Sequence, residues 1–283
     1  MDGIIVVNKP KGITSRDVVN KACKLLNTKK IGHTGTLDPI ATGVLVLCVG
    51  KATKLVEVLT KNDKEYIATV KLGILTDTLD TDGTIIEKKQ ASLDKNELEN
   101  VLKSFIGMYN QEVPIYSAVK INGKKLYEYA REKKEVTLPK RMVEIKDIKL
   151  LELNNNYYKF KVSVSKGTYI RSLIKDINKK LGILGVMSDL IRTRQGKFLI
   201  NDSNSLEDME NGNYNVLTIT DVLKDENCAI IDSTLFKKVK NGAIINNKYN
   251  TDMVTFIYKD NVIAIYKTYD KDKNKMKPYK MFI

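Results

Sequence analysis

The chain has 283 residues, 42% of them hydrophobic, with 48 Lys and Arg against 34 Asp and Glu and a formal net charge of +14. That length builds one sizeable core plus an appendage, and the excess of base over acid points to a polyanionic partner, nucleic acid foremost. Three scattered cysteines (Cys23, Cys48, Cys228), no CxxC spacing and a single histidine exclude a zinc set. They read as reduced thiols of a cytoplasmic protein, and the absence of a signal-peptide pattern or of an 18-residue apolar run argues against secretion and membrane spanning.

The segment "IIVV" at 4–7 reads as a short buried strand ended by the turn "NKPKG". Thr14 or Ser15 then caps a helix whose Val18, Ala22, Leu25 and Leu26 follow helical spacing. "VLVLCV" (44–49) is a second buried strand and "ATKLVEVL" a second helix. From Glu65 to Leu72 the residues alternate, with Tyr66, Ala68, Val70 and Leu72 on one face of a half-buried strand. "TDTLDTDG" makes a polar loop and "TIIEK" a strand, after which Asp94 and Glu97 open a helix carrying Leu98, Val101, Leu102 and Phe105. Asn122-Gly123 signals a tight turn. "MVEIKDIKLLEL" and "YYKFKVSVS" form a hairpin about the asparagines at 154–156, and "GTYIRSLIKDINKKLG" is a helix closed by Gly182. Without regular βαβ alternation, the class expected is α+β around a mixed sheet.

Beyond residue 226 the texture changes to short strands joined by turns at Asn241-Gly242 and Lys259–Asn261, with at most one helical turn near Leu235. Residues 227–283 hold 11 lysines against 5 aspartates, so basic character concentrates there. Two domains are expected, 1–226 and a small all-β module at 227–283. Residues 1–226 are expected to fold without that module.

"GHTGTLDPIATGVLVLCVG" (32–50) sets the only histidine, His33, and a solitary Asp38 among glycines. It is not a P-loop, because Gly50-Lys51 is followed by Ala52 and Leu45 stands where the first glycine should be. "TLDTDG" is not a calcium loop, since Lys89 falls where a bidentate Glu belongs. Pro39 pushes Asp38 out of helical conformation and displays it on a loop. Capping of a helix that starts at Pro39 is the ordinary role of such an Asp-Pro pair.

"GHTGTLDPIATGVLVLCVGKATK" resembles the signature of the bacterial tRNA pseudouridine synthase B family, which isomerises uridine-55 in the T-loop of tRNA. The likeness extends through "VNKPKGITS", "KEYIATVKLG", "TDTLDTDG", "VPIYSAVKINGKKLYEYAR" and "SKGTYIRSLIKDI", covering most of residues 3–195 in order. It implies a pseudouridine synthase fold with a mainly antiparallel mixed sheet, and it makes Asp38 the catalytic carboxylate. By the same resemblance Arg171 pairs with Asp38, Tyr66 stacks on the target base, Tyr169 and Leu190 line the pocket, and His33 inserts where the flipped nucleotide was. Lys9, Pro10, Asp80 and Lys120 sit in matching blocks expected to shape the loop-binding face. The reaction needs neither cofactor nor metal. The expected partner is tRNA, through its T-loop and stem, met by a monomer.

Two departures stand out: Asn8 replaces an acid common in the family, and Ile191 stands where an arginine often follows the leucine. The last 57 residues resemble a PUA-type RNA-binding β-barrel in "VKNGAII" and in strand rhythm. The rival class is a non-catalytic RNA-binding or tRNA-folding protein on the same scaffold. A nuclease using Asp38 with a metal lacks the clustered acids it would need.

Overall fold

The two apolar runs near the N-terminus pair as β1 (Gly3–Lys9) and β3 (Thr42–Val49), with the short β2 (Ile31–His33) also antiparallel to β3. Between them α1 (Ser15–Leu25) starts at a reciprocal capping box of Thr14 and Asp17. A 3-10 turn over 50–55 leads into the five-residue α2 (Val56–Thr60), so the second helix is shorter and tighter at its start than its sequence suggested. There follow β4 (Lys64–Leu72), the ribbon of β5 (Ile74–Thr76) and β6 (Ile85–Lys88), α3 (Lys95–Lys103) and β7 (Gly107–Glu112). An insertion carries β8 (Lys120–Ile121), β9 (Lys124–Lys125) and α4 (Leu126–Arg131). Asn122 and Gly123, both at positive φ, make its tight turn as expected.

The long hairpin of β10 (Lys140–Leu153) and β11 (Tyr157–Val164) precedes α5 (Ile170–Leu181), which ends at Gly182 in the left-handed conformation. Then come β12 (Gly185–Gln195), β13 (Phe198–Leu199), α6 (Leu206–Glu210) and α7 (Ile219–Leu223). The C-terminal part holds β14 (Cys228–Ile230), α8 (Ser233–Lys240), β15 (Ile245–Asn246), β16 (Met253–Tyr258), β17 (Asn261–Tyr269) and β18 (Asp272–Met281). This computed structural model describes residues 1–224 and 227–283, and the expected boundary after residue 226 falls on residues outside that description. Among the described residues no helix is long and apolar enough to cross a membrane.

The largest sheet runs β1-β3-β12-β4-β11-β10-β7, with β2 on β3 and β13 on β12. Every pairing in it is antiparallel except β3 with β12, which makes the fold α+β with a mixed sheet. That parallel contact depends on Gly43: its φ is +99°, and an added Cβ would lie 2.3 Å from the Arg192 carbonyl oxygen.

Strand β4 buries Tyr66, Ala68, Val70 and Leu72 against Leu173, Ile174 and Ile177 of α5 and Leu98 and Leu102 of α3. Its other face is open enough to carry polar residues, so the period-two alternation survives. Strands β1 and β3 show no alternation because both of their faces are covered. Ile5, Val7, Leu45 and Leu47 pack under Val18, Val19 and Ala22 of α1, while Ile4, Val6, Val44 and Val46 pack beneath Leu55, Leu59 and the C-terminal residues Val262, Ile265 and Phe282. Leu25, expected on the inner face of α1, is instead 40% exposed, and Val19 takes the buried position.

The C-terminal part departs from an all-β module. Residues 233–240 form two turns of helix, and Asn241-Gly242 end that helix instead of joining two strands. The strands run β14-β16-β17-β18-β15, a curled half-barrel whose outer strands do not pair with each other. It shares a core with the larger part, so removing residues 227–283 would uncover Leu55, Leu59 and the inner face of β1 and β3. That shared core runs against the expectation that residues 1–226 fold alone.

Candidate active site

The loop between β2 and β3 is fixed from both sides of Asp38. On one side the Leu37 N–H donates to Ser15 Oγ at 2.8 Å, and that hydroxyl donates back to the Leu37 carbonyl at 3.2 Å. On the other, the Gly12 N–H and the Lys9 ammonium both donate to the Pro39 carbonyl, at 2.8 and 3.3 Å. Lys9 also donates to the carbonyls of Pro10 and Ile13. Asp38 does not cap a helix: the Ala41 N–H closes a single turn onto the Asp38 carbonyl, and the side chain is left 32% exposed.

Arg171, in the first turn of α5, reaches Asp38 across 133 residues. Its Nε donates to Oδ2 at 2.9 Å and its Nη2 to Oδ1 at 3.0 Å, a bidentate pair with the arginine only 6% exposed. Two further donors go to the carbonyls of Thr78 and Tyr116, both at 3.0 Å, and Nη1 lies 3.8 Å from Asp80 Oδ2. A guanidinium held by four hydrogen bonds in this way has one orientation. The Thr78 carbonyl is presented by a loop in which Leu79 holds a positive φ of 64°, a strained conformation for a side chain of that type.

A cavity of about 350 Å³ opens over this pair, lined by Asp38, Tyr66, Tyr169, Arg171, Leu190 and Tyr116 among others. Tyr66 and Leu190 come from the adjacent strands β4 and β12, whose register sets Tyr66 opposite Arg192 and Ala68 opposite Leu190. Both point to the side of the sheet that carries the main core.

Five of the residues singled out in the sequence thus converge: Asp38, Tyr66, Tyr169, Arg171 and Leu190. The others do not line the cavity. Asp80 is buried behind Arg171, where burial raises its carboxyl above the usual range against the opposing pull of Thr78 and Arg171. His33 is half-buried on β2; its Nδ1 accepts the Gly35 N–H, and burial, with Arg192 and Arg16 nearby, lowers its pKa and favours the neutral ring. Pro10 and Lys120 are exposed. Lys9, expected to shape the loop-binding face, is 0% exposed and acts on the Asp38 loop from inside.

Two cations in the cavity wall were missed. Arg192, 1% exposed, donates from Nε to the Val44 carbonyl and from Nη2 to the Gly35 carbonyl. Lys64 donates to the carbonyls of Thr60 and Asn62 at the end of α2, and burial lowers its pKa to about 8. A signal existed for both, because Lys64 and Arg192 stand two residues from Tyr66 and Leu190 and so share their inward face. Tyr116 had no comparable signal.

The fold is shared with chains of known structure. The chain is similar to a chain of an H/ACA RNP bound to a substrate RNA containing 2'-deoxyuridine, with TM-score 0.75 and 26% identity over 99% of this chain and 85% of that one. A chain of a Cbf5-Nop10-Gar1 complex gives TM-score 0.72 and 27% identity over 94% and 78%. This sheet with this site defines a pseudouridine synthase, an isomerase that converts uridine to pseudouridine in RNA. Residues 23–170 match the model described as TruB family pseudouridylate synthase (N terminal domain). The tRNA pseudouridine synthase B of Bacillus cytotoxicus is 40% identical over 300 residues, and that of Bacillus subtilis (strain 168) 41% over 303, each alignment covering 100% of this chain and 98% of the relative. The chain belongs to the TruB family.

Proposed function

We propose that the chain isomerises uridine-55 in the T-loop of tRNA, with Asp38 as the reacting carboxylate. The observation that carries this reading is the bidentate Asp38–Arg171 pair at a cavity walled by Tyr66 and Leu190, in a chain whose full-length relatives bear the name tRNA pseudouridine synthase B. The reaction breaks the N1–C1′ bond, turns the uracil and rejoins it through C5, so no atom is gained or lost. Asp38 serves it by attacking the sugar or the base, or by taking a sugar proton. The target base is stacked within the folded T-loop and must be flipped out to reach the carboxylate. Tyr66 then offers a ring to stack on and Leu190 a wall that holds the freed uracil. Exposed lysines of the C-terminal half-barrel hold the stem by its phosphates.

The test is incubation with unmodified tRNA in the presence of chelator, followed by mapping of pseudouridine in the product. Product confined to position 55 is expected. Tight binding without product would instead favour an RNA-folding role, and product elsewhere would correct the substrate.

A further inference from the structure

Helix α5 delivers Arg171 to Asp38, yet its N-cap residue, Tyr169, makes no side-chain cap of its own. Ser, Thr, Asp or Asn ordinarily supplies one. The hold comes from outside the helix. The Tyr169 N–H donates to Gln111 Oε1 at 2.7 Å, and Gln111 Nε2 donates to the Tyr169 carbonyl at 3.1 Å, across 58 residues of sequence. One bond would leave a pivot; two to the same residue fix both place and rotation. Gln111 is 1% exposed, and its Nε2 also meets the Tyr109 hydroxyl, so the amide has a single orientation.

Gln111 lies on β7, the outermost strand at that end of the sheet, five residues before Tyr116. The Tyr116 carbonyl accepts from Arg171. The same side chain therefore ties the start of α5 to the root of the segment that supplies one of the arginine's acceptors.

We propose that Gln111 is a positioning residue: it clamps the start of α5 so that the Arg171 guanidinium meets Asp38 through both of its hydrogen bonds, without touching the substrate. This rests on reading Asp38 and Arg171 as the reacting pair. Misplacement by about 1 Å at such a pair costs on the order of 10²-fold in rate.

Two variants of the full chain test the clamp. Gln111→Met keeps length and packing but removes both bonds. Single-turnover rate at saturating tRNA should fall about 10- to 100-fold, with affinity within about threefold, and the Tyr169 amide should exchange faster with deuterium. Gln111→Glu copies the amide only when its carboxyl is neutral, because C=O then accepts and O–H donates; ionised, it has no donor for the Tyr169 carbonyl. Its rate relative to wild type should climb as pH falls from about 8 to about 5.5, since burial raises a carboxyl pKa into that range. The titratable or charged groups nearest to Gln111 in chain and ladder are Tyr109 and Glu112 on β7, Arg171, Lys175 and Asp176 on α5, and Lys140 and Arg141 on β10, Arg141 being its ladder partner. They are common to both enzymes, so the ratio isolates the new carboxyl.

A wild-type rate in Gln111→Met, a loss in affinity instead of rate, or an amide still protected would each overturn the clamp. A flat ratio for Gln111→Glu would do so too, and that variant serves alone if Gln111→Met fails to fold. Wild-type protein inert on tRNA would sink the substrate reading instead, leaving hydrogen exchange at Tyr169 to decide the clamp.

Discussion

The cavity and the C-terminal half-barrel are both cationic, but they hold their cations in opposite ways. Around the cavity Lys9, Lys64, Arg171 and Arg192 are buried and donate to fixed oxygens. In the half-barrel Lys237, Lys238, Lys240, Lys248 and Lys259 stand exposed, some beside tyrosine rings, as Lys248 is 5.7 Å from the ring centre of Tyr249 and Lys259 5.6 Å from that of Tyr258. Buried, oriented charge acts on one atom at one place, and its orientation is settled before substrate arrives. Exposed, mobile charge exchanges counterions for phosphates and reads no sequence. On the proposed reading, one region serves the chemistry and the other holds the RNA.

The sharpest way to break this contrast is at Asp38. Asp38→Asn should lower the single-turnover rate by about 10³-fold or more while tRNA affinity stays within a few-fold, because an amide replaces a carboxylate and every cation that meets a phosphate stays in place. A variant with a substantial residual rate would move the chemistry elsewhere. Arg171→Lys comes next. A lysine cannot span both oxygens of Asp38 and the carbonyls of Thr78 and Tyr116, so a loss of about 10²-fold in rate is expected. Full activity would mean that charge alone, without the fork, suffices.

Replacing Lys237, Lys238, Lys240 and Lys248 by Gln should act the other way round. Affinity should fall, and the slope of log affinity against log salt should flatten by about 0.7 to 0.9 for each phosphate that is no longer neutralised, with the rate at saturating tRNA within about twofold of wild type. A slowed saturated rate would give the half-barrel a share in the chemistry.

The smallest effect concerns pH. Burial holds the Lys64 pKa at about 8, below its ordinary 10.5, so the folded chain gives up this proton while the unfolded chain keeps it. Between those two values the unfolded state binds more protons, and this lysine's contribution to folding stability rises with pH. The cavity wall meanwhile loses a cation. Wild-type affinity for tRNA should weaken modestly as pH passes 8, and Lys64→Met should flatten that step. An unchanged step would place its origin elsewhere; Lys9, also lowered to about 8 by burial, is the next group to replace.

What was legible in the sequence was what neighbours in the chain decide. The Thr14 cap, the Asn122-Gly123 turn, the Gly182 stop and the inward face of β4 all follow from dihedral preference and a period of two. Asp38 could be seen on a displayed loop, and only a likeness to known sequences paired it with Arg171. The inward turn of Lys9 could not be read, since a lysine after an apolar strand looks like any exposed lysine until the Pro39 carbonyl is brought beside it. Helix α8 was read as at most one turn because only Leu235, Phe236 and Val239 are apolar in eight residues, too short a stretch to establish a period; its packing belongs to the half-barrel core. A strand's alternation says which residues share a face but not which strand lies alongside. The carbonyls of Thr78 and Tyr116 and the amide of Gln111 meet α5 only after β7, β10, β11, β4 and β12 have taken their order in the sheet. The residue types were set by sequence; the four hydrogen bonds of the arginine were decided by assembly.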